Sequence, residues 1–438
     1  MLQWHSRPPA GKLRAVASSA LVLYRAALGI ALTVAAPWLL LADRRRRLER
    51  PPIVHRLGRS LPPLPQNGMW VQAVSVGEVA VARSLLVEVR RRHPGLPLIL
   101  SSTTATGLAL AAAHQTADVV LPFPVDLPGP VRRCLDAARP RLVVLVETEL
   151  WPELLAGCEA RGIPVAQVNA RISDSSLKGY RASRWALRSL LRPISLVLAQ
   201  GEEERRRLVS LGIPAEKIRV TGNIKFDAAM ARPAAPELLQ RLRELAGVRH
   251  VWVAGSTMHG EEQAVINALM RVPERHRPFL LLAPRHPDRA GETVKLATAR
   301  GLRAVRRTGI NESPEPCDLV VLDTVGELAA LYQLAAVAFV GGSLARSGGG
   351  HNPIEPARFG VPVITGPHIR NFALIYREFT AAGAARVVRD EGELARELLA
   401  WLSDAGAART AGEAGRQLLL RNAGATARTA DALEQYLR

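Results

Sequence analysis

The sequence predicts an α/β protein of two Rossmann-like, doubly wound domains preceded by a membrane-associated N-terminal helix. Three observations carry this expectation. The chain has 438 residues, too many for one typical core, so two domains of roughly 150 to 200 residues each are expected. Of these residues 48% are hydrophobic, ample for burial. Apolar runs of strand length alternate with helix-length segments throughout, the rhythm of parallel sheets covered on both faces.

The first element is apolar from Ala15 to Ala42 apart from Arg25 and a few hydroxyls, and Asp43 followed by Arg44, Arg45, Arg46 and Arg47 comes at once. A spanning helix needs about 20 predominantly apolar residues, so this run spans only if Arg25 snorkels or lies near an interface. An interfacial helix is the alternative. In both cases the basic flank places the bulk of the chain on the cytoplasmic face of the inner membrane. A cleaved signal peptide fits less well, because the strongest charge follows the apolar run.

After the linker Arg50 to Gly68, strands are expected at Met69–Val74, Leu96–Ser102, Val119–Phe123, Leu142–Glu147, Pro164–Ala170 and Ser195–Gln200. The pattern restarts with His250–Ser256, Pro278–Pro284, Leu302–Arg307, Asp318–Asp323, Val337–Gly342 and Val361–Thr365. The join falls near Asp227 to Pro236. This gives an N-terminal segment 1–49, a first domain 50–230, and a second domain 231–438 that includes the C-terminal helices.

Composition narrows the function. The three cysteines are far apart and form no C-x-x-C, so neither a disulfide framework nor a zinc site is suggested. A formal charge of +19 draws the chain to polyanions: nucleic acid, an anionic membrane surface or phosphorylated substrates. With aromatic residues at 4% there is little material for base stacking, which disfavours nucleic acid.

Ligands of such sheets bind beyond the carboxyl ends of the strands, and the unusual residues gather there. Glu78 follows a glycine turn at a helix start. It fits two roles, a dipole-stabilised first-turn acid and a base for an acceptor hydroxyl. Glu147 and Glu149, two apart at a strand end, are expected to point the same way in an extended backbone, with Arg171 available as partner. Lys225 is either a surface lysine or a cation in a cleft. Arg285 suits a phosphate or carboxylate, or is a solvated loop residue. His351 is a ligand contact or a turn residue, and no second histidine stands at metal-ligand spacing. With no D-x-D in a strand-end loop, a metal-independent reaction is the simpler expectation.

The stretch Phe339 to Pro367, FVGGSLARSGGGHNPIEPARFGVPVITGP, runs strand, glycine loop, helix start, strand. Asn352 is expected as N-cap, Pro353 as the first helical residue and Glu355 as the third. Free loop N–H groups and the helix dipole would meet a ligand there, unless the run is a plain capped helix after a turn.

Two Rossmann-like domains facing each other across a cleft, each with such loops, is the arrangement of GT-B glycosyltransferases and a few sugar-nucleotide epimerases. Taken together, the loops AVSVGEV (Ala73 to Val79), SSTTATG, ETELWPEL, VNARISDSSLKGY, TGNIKFD, APRHPDR, DTVGEL and GGSL…GGHNPIEP…GP resemble those of the 3-deoxy-D-manno-octulosonic acid (Kdo) transferase family of lipopolysaccharide biosynthesis, in order along nearly the whole chain. The resemblance implies a GT-B fold and an inverting transfer of Kdo from CMP-Kdo to a lipid A precursor, with no cofactor. It implies that Glu78 is the base and that Glu147, with Glu149 nearby, and Lys225 stabilise the transition state. Pro284, Arg285, Val325, Gly326, Glu327, Asn352, Pro353, Ile354 and Glu355 would hold the cytidine monophosphate part. A sugar-nucleotide epimerase and a non-catalytic basic membrane-binding protein are the rival classes; the first needs no membrane segment, and the second leaves the acidic strand ends unexplained.

Overall fold

The computed structural model describes residues 21–31, 33, 53–172, 177, 190–228, 236–312, 317–346 and 348–438. The basic run Arg44 to Arg47, much of the apolar run before it, part of VNARISDSSLKGY and most of the join between domains lie outside the described residues.

The chain forms two compact units, one of residues Met1–Ala228 with Gly424–Arg438, the other of Ala229–Ala423. In the first, β1 (Met69–Ala73), β2 (Leu98–Ser102), β3 (Val119–Pro122), β4 (Leu142–Val146), β5 (Val165–Ala170), β6 (Ile194–Ala199) and β7 (Ile218–Val220) make one sheet in the order β3-β2-β1-β4-β5-β6-β7. In the second, β8 (Val251–Thr257), β9 (Phe279–Pro284), β10 (Ala304–Arg306), β11 (Leu319–Val321), β12 (Val337–Val340), β13 (Val363–Thr365) and β14 (Ala385–Val387) follow the order β10-β11-β9-β8-β12-β13-β14. Each neighbouring pair is parallel.

Side chains of a strand alternate between faces, and each sheet has a core on both. Met69, Val71 and Ala73 of β1 join one core of the first unit and Trp70 the other. Trp252 and Ala254 of β8 join one core of the second unit, Val251 and Val253 the other. Burial on both faces is why the strands read as continuous apolar runs.

All twelve expected strands are present, and two edge strands, β7 and β14, were not expected. Both are three residues long, IRV and ARV, too short and too charged for a periodic signal. The chain's reversals of strand order fall between β1 and β4 in the first sheet and between β8 and β12 in the second. In a doubly wound sheet such a point opens a crevice for ligands.

The helices that build the site are α1 (Val76–Arg92), α2 (Pro152–Glu159), α3 (Ile224–Ala228), α4 (Glu261–Arg271), α5 (Ile354–Ala357), α6 (Ala405–Asn422) and α7 (Ala425–Leu437). One domain boundary differs from the expectation. Helix α7 returns to the first unit, where Ala425, Ala430, Ala432, Leu433 and Leu437 complete a core. Asp227 fixes its start by accepting the N–H of Gly424 at 2.9 Å and of Thr426 at 2.6 Å. Its apolar stripe therefore belongs to the first unit although its sequence follows the second.

Residues 21–31 are helical and dock on the first unit through polar groups. Arg25 forks onto the carboxylate of Glu153 at 2.5 and 3.1 Å, and the Tyr24 hydroxyl donates to Asp126 at 2.9 Å. Asp126 in turn accepts the N–H groups of Glu153 and Leu154. The one charge within the apolar run is thus matched by protein. Val22, Leu23 and Ile30 point outward, 57%, 64% and 67% exposed. Among the described residues no helix is long and apolar enough to cross a membrane.

Helix α6 packs its backbone on the second unit at Gly412, where an added Cβ would lie 1.7 Å from the carbonyl oxygen of Gly360. Gly412→Ala must push the two backbones apart. A loss of about 1 to 3 kcal/mol is expected, read as a lower urea midpoint; an unchanged midpoint would show that this contact yields freely.

Candidate active site

At the switch point of the first sheet, β1 and β4 each deliver a carboxylate. Ser75 ends β1's loop as N-cap of α1, its hydroxyl taking the Glu78 N–H at 3.3 Å. The Glu78 carboxylate reaches back to accept from the Val74 N–H at 2.7 Å and the Ser75 hydroxyl at 2.9 Å. Glu78 thus takes the first-turn place expected of it, with its carboxylate turned back toward the end of β1. Burial pushes its pKa above the ordinary carboxylate value, against the hydrogen bond from Val74. Nearby Glu147 adds to the rise, while Ser75 and Lys225 oppose it.

Glu147 closes β4 at φ +59°, in the left-handed region that costs a non-glycine residue energy. This turn corrects the expectation of two parallel carboxylates. The backbone is not extended at Glu147, and its carboxylate turns to Arg171 at 2.9 Å and to the Lys225 ammonium at 2.6 Å. Burial alone would raise its pKa, but Lys225 and then Arg171 pull it below the ordinary value. Among the described residues no cation is paired with Glu149. Burial, with Glu78 and Glu147 adding, lifts its pKa to about 7.

Lys225 is positioned by asparagines that the sequence reading passed over. Asn169, itself at φ +54°, accepts the Ile224 N–H at 2.9 Å, and Asn223 accepts the Lys225 N–H at 3.0 Å. Asn169 is wholly buried, which in sequence looks like any strand-end residue. Glu78, Glu147, Glu149, Arg171 and Lys225 thus form one cluster in the first unit.

The remaining expected residues lie in the second unit. Pro284 ends β9, and the Arg285 N–H donates to the Thr257 carbonyl at 2.8 Å, leaving an exposed guanidinium. Burial raises the Glu355 carboxyl, with Asn352 and Arg285 pulling against it. Burial also lowers His351, and the Arg285 charge lowers it further. Asn352 caps the following turn, accepting the Ile354 N–H at 3.1 Å and donating to Glu355 at 3.4 Å. The short helix begins at Ile354, one residue later than expected. Val325 is 88% exposed and Gly326 sits at φ +93°. Glu327 is held by a fork from Arg307 at 3.1 and 2.9 Å, so it braces the turn. Arg307 gave no signal of this in the sequence.

The glycine loop requires one correction. Its N–H groups at Gly342, Ser343 and Leu344 are not free for a ligand, because the carboxylate of Glu261 takes all three. Gly342 is a glycine for two reasons: φ is +66°, and a Cβ would lie 2.6 Å from the His351 ring.

Comparison with known proteins shows the chain to be similar to sugar transferases. Residues 45–228 match the family described as 3-Deoxy-D-manno-octulosonic-acid transferase (kdotransferase). The chain is 35% identical over 382 residues to the 3-deoxy-D-manno-octulosonic acid transferase of Haemophilus influenzae, spanning 85% of this chain and 88% of that one. It is 39% identical over 423 residues to the Bordetella pertussis transferase of the same name, spanning 91% and 96%. Among solved structures, a UDP-GlcNAc 2-epimerase from Neisseria meningitidis superposes with a TM-score of 0.55 at 13% identity, over 84% of this chain and all of that one. That likeness shows the two-domain fold alone.

The raised pKa of Glu149 has a consequence for stability. Between the ordinary carboxylate value and about 7, the folded chain holds a proton that the unfolded chain releases, so stability from this group falls as pH rises through that window. Glu149→Gln removes the effect. The wild-type urea midpoint should therefore decline more steeply than the variant's from about pH 5 to about pH 7.5. Superimposable profiles would place Glu149 in the ordinary carboxylate range.

Proposed function

The chain belongs to the 3-deoxy-D-manno-octulosonic acid (Kdo) transferase family and is a glycosyltransferase, and from that premise we propose that it moves Kdo from CMP-Kdo to a hydroxyl of a lipid A precursor, with inversion and without a metal ion or cofactor, at the cytoplasmic face of the inner membrane. The observation that carries the chemistry is the cluster of the first unit. A carboxylate whose pKa is raised by burial, Glu78, lies in the field of a buried Glu147 that is neutralised by Lys225 and Arg171.

The step is a single displacement. The acceptor hydroxyl oxygen bonds to the anomeric carbon of Kdo, its proton passes to Glu78, and the bond from that carbon to the phosphate oxygen breaks, releasing CMP. A base is most effective when its pKa approaches the working pH, and burial moves Glu78 in that direction. One displacement with no covalent intermediate inverts the centre. The donor side is assigned to the second unit. There the exposed Arg285 meets the phosphate, whose charge grows as the bond breaks, and Asn352 to Glu355 with the Val325–Gly326 turn receive the nucleoside. Charge neutralisation at the phosphate falls to Arg285, and so needs no metal ion. The apolar residues Val22, Leu23 and Ile30, turned outward on a helix latched to the first unit, supply the contact with the lipid surface.

An epimerase shares the fold, but identities of 35% and 39% along most of the chain lie with Kdo transferases. The deciding experiment is a transfer assay with radiolabelled CMP-Kdo and a lipid A precursor. Labelled lipid is the expected product; release of label into water alone would reject the acceptor.

Two substitutions test the roles. Glu78→Gln keeps the shape but accepts no proton, so turnover should fall by about two to four orders of magnitude with CMP binding retained; near wild-type turnover would remove Glu78 from the chemistry. Arg285→Ala loses a charge-assisted contact worth about 1.5 to 3 kcal/mol, hence about ten- to a hundredfold in CMP affinity, while the acceptor KM stays put. Unchanged inhibition by CMP would leave Arg285 a solvated loop residue.

A further inference from the structure

Resting on the assignment of the donor to the second unit, we propose that Glu261 is the positioning residue of that site: its carboxylate sets the relative places of the Arg285 turn and the Asn352–Glu355 turn, two of the segments that receive the nucleotide. Glu261 opens α4 and is 2% exposed. One carboxylate oxygen accepts the N–H groups of Ser343 and Leu344, both at 2.7 Å. The other accepts those of Gly342 at 2.6 Å and Met258 at 2.8 Å. Four donors on two oxygens leave little capacity for anything else.

Each bond is tied to a neighbouring segment. The Met258 N–H adjoins Thr257, whose carbonyl accepts the Arg285 N–H at 2.8 Å. Gly342 offers its own carbonyl to the Gly350 N–H at 2.7 Å, which sets the chain direction into His351 and Asn352. Ser343 accepts the His368 N–H at 2.9 Å through its carbonyl and the Gly366 N–H at 2.8 Å through its hydroxyl. A single buried charge therefore joins the Arg285 turn, the start of the Asn352–Glu355 turn and the Gly366 turn after β13. Its oxygens occupy the place that the sequence assigned to a ligand, and the phosphate is left to Arg285.

The substitution Glu261→Gln turns one acceptor oxygen into a donor facing two N–H groups, so two of the four bonds are lost and the loop must move. Glu261→Asp keeps charge and acceptors on a shorter stem. The test measures CMP affinity by calorimetry, exchange of the Gly342, Ser343 and Leu344 amides, the acceptor KM at saturating donor, and the melting temperature, on the full chain. Misplacement on the ångström scale costs about ten- to a hundredfold. The Gln variant should lose that much CMP affinity and exchange these amides faster, with the acceptor KM unchanged and Asp recovering part of the affinity. A Gln variant that binds CMP as wild type does and only melts earlier overturns the proposal. If Gln does not fold, Asp decides: wild-type CMP affinity with faster amide exchange overturns it, and weakened affinity with cooperative melting supports it. Wild-type protein that does not bind CMP, titrated first, would reject the donor assignment itself and the proposal with it.

Discussion

A carboxylate that leaves the end of a buried strand must find donors or lose its charge, and the working parts of both units answer that constraint. Glu78 and Glu261 stand in the same topological place, the first turn of the helix that follows the first strand of their sheet. Both reach back to a backbone N–H just upstream, Val74 for one and Met258 for the other. They differ in how far they are satisfied. Glu261 meets three further N–H groups from the loop after β12 and becomes a fixed joint. Among the described residues Glu78 meets a hydroxyl besides and no further N–H, and the equivalent neighbour after β4 brings another carboxylate, Glu147, in place of donors. Its charge is left less well compensated, which is what a base requires.

Much of this was legible in the sequence for a simple reason. Parallel strands buried on both faces need unbroken apolar runs, and those runs mark where the loops begin. The family motifs sit at those loops, so Glu78, Lys225, Arg285 and Asn352 to Glu355 could be found one by one. What stayed hidden was the direction of backbone and side chain at the strand ends. Glu147, Asn169 and Ser256 all take positive φ, and none is a residue type whose presence announces that by itself. The edge strands IRV and ARV are held by their neighbours rather than by their own pattern.

The glycine loop shows the same limit from the other side. Its glycines correctly indicated close approach to the backbone, yet sequence cannot say which atoms approach. The partner came from α4, some eighty residues earlier, where Glu261 looked like an ordinary acidic first turn. Helix α7 is a parallel case, since its apolar stripe matched a core that its position in the chain did not suggest.

Charge balance within the first cluster bears on how the base is discharged. Three carboxylates, Glu78, Glu147 and Glu149, stand with two cations, Arg171 and Lys225, and both cations bind Glu147. Glu147 is thereby held ionised, while Glu78 and Glu149 both rise in pKa, each chiefly by burial, with Glu147 adding to both and Glu78 adding to the rise of Glu149. In the proposed transfer, a proton passing from the acceptor hydroxyl to Glu78 relieves the cluster instead of burdening it. A proton on Glu78 in turn removes one of the charges that raise Glu149. The hydrogen bonds from Val74 and Ser75 favour charge on Glu78, whereas burial and its carboxylate neighbours hold the Glu149 carboxyl up at about 7.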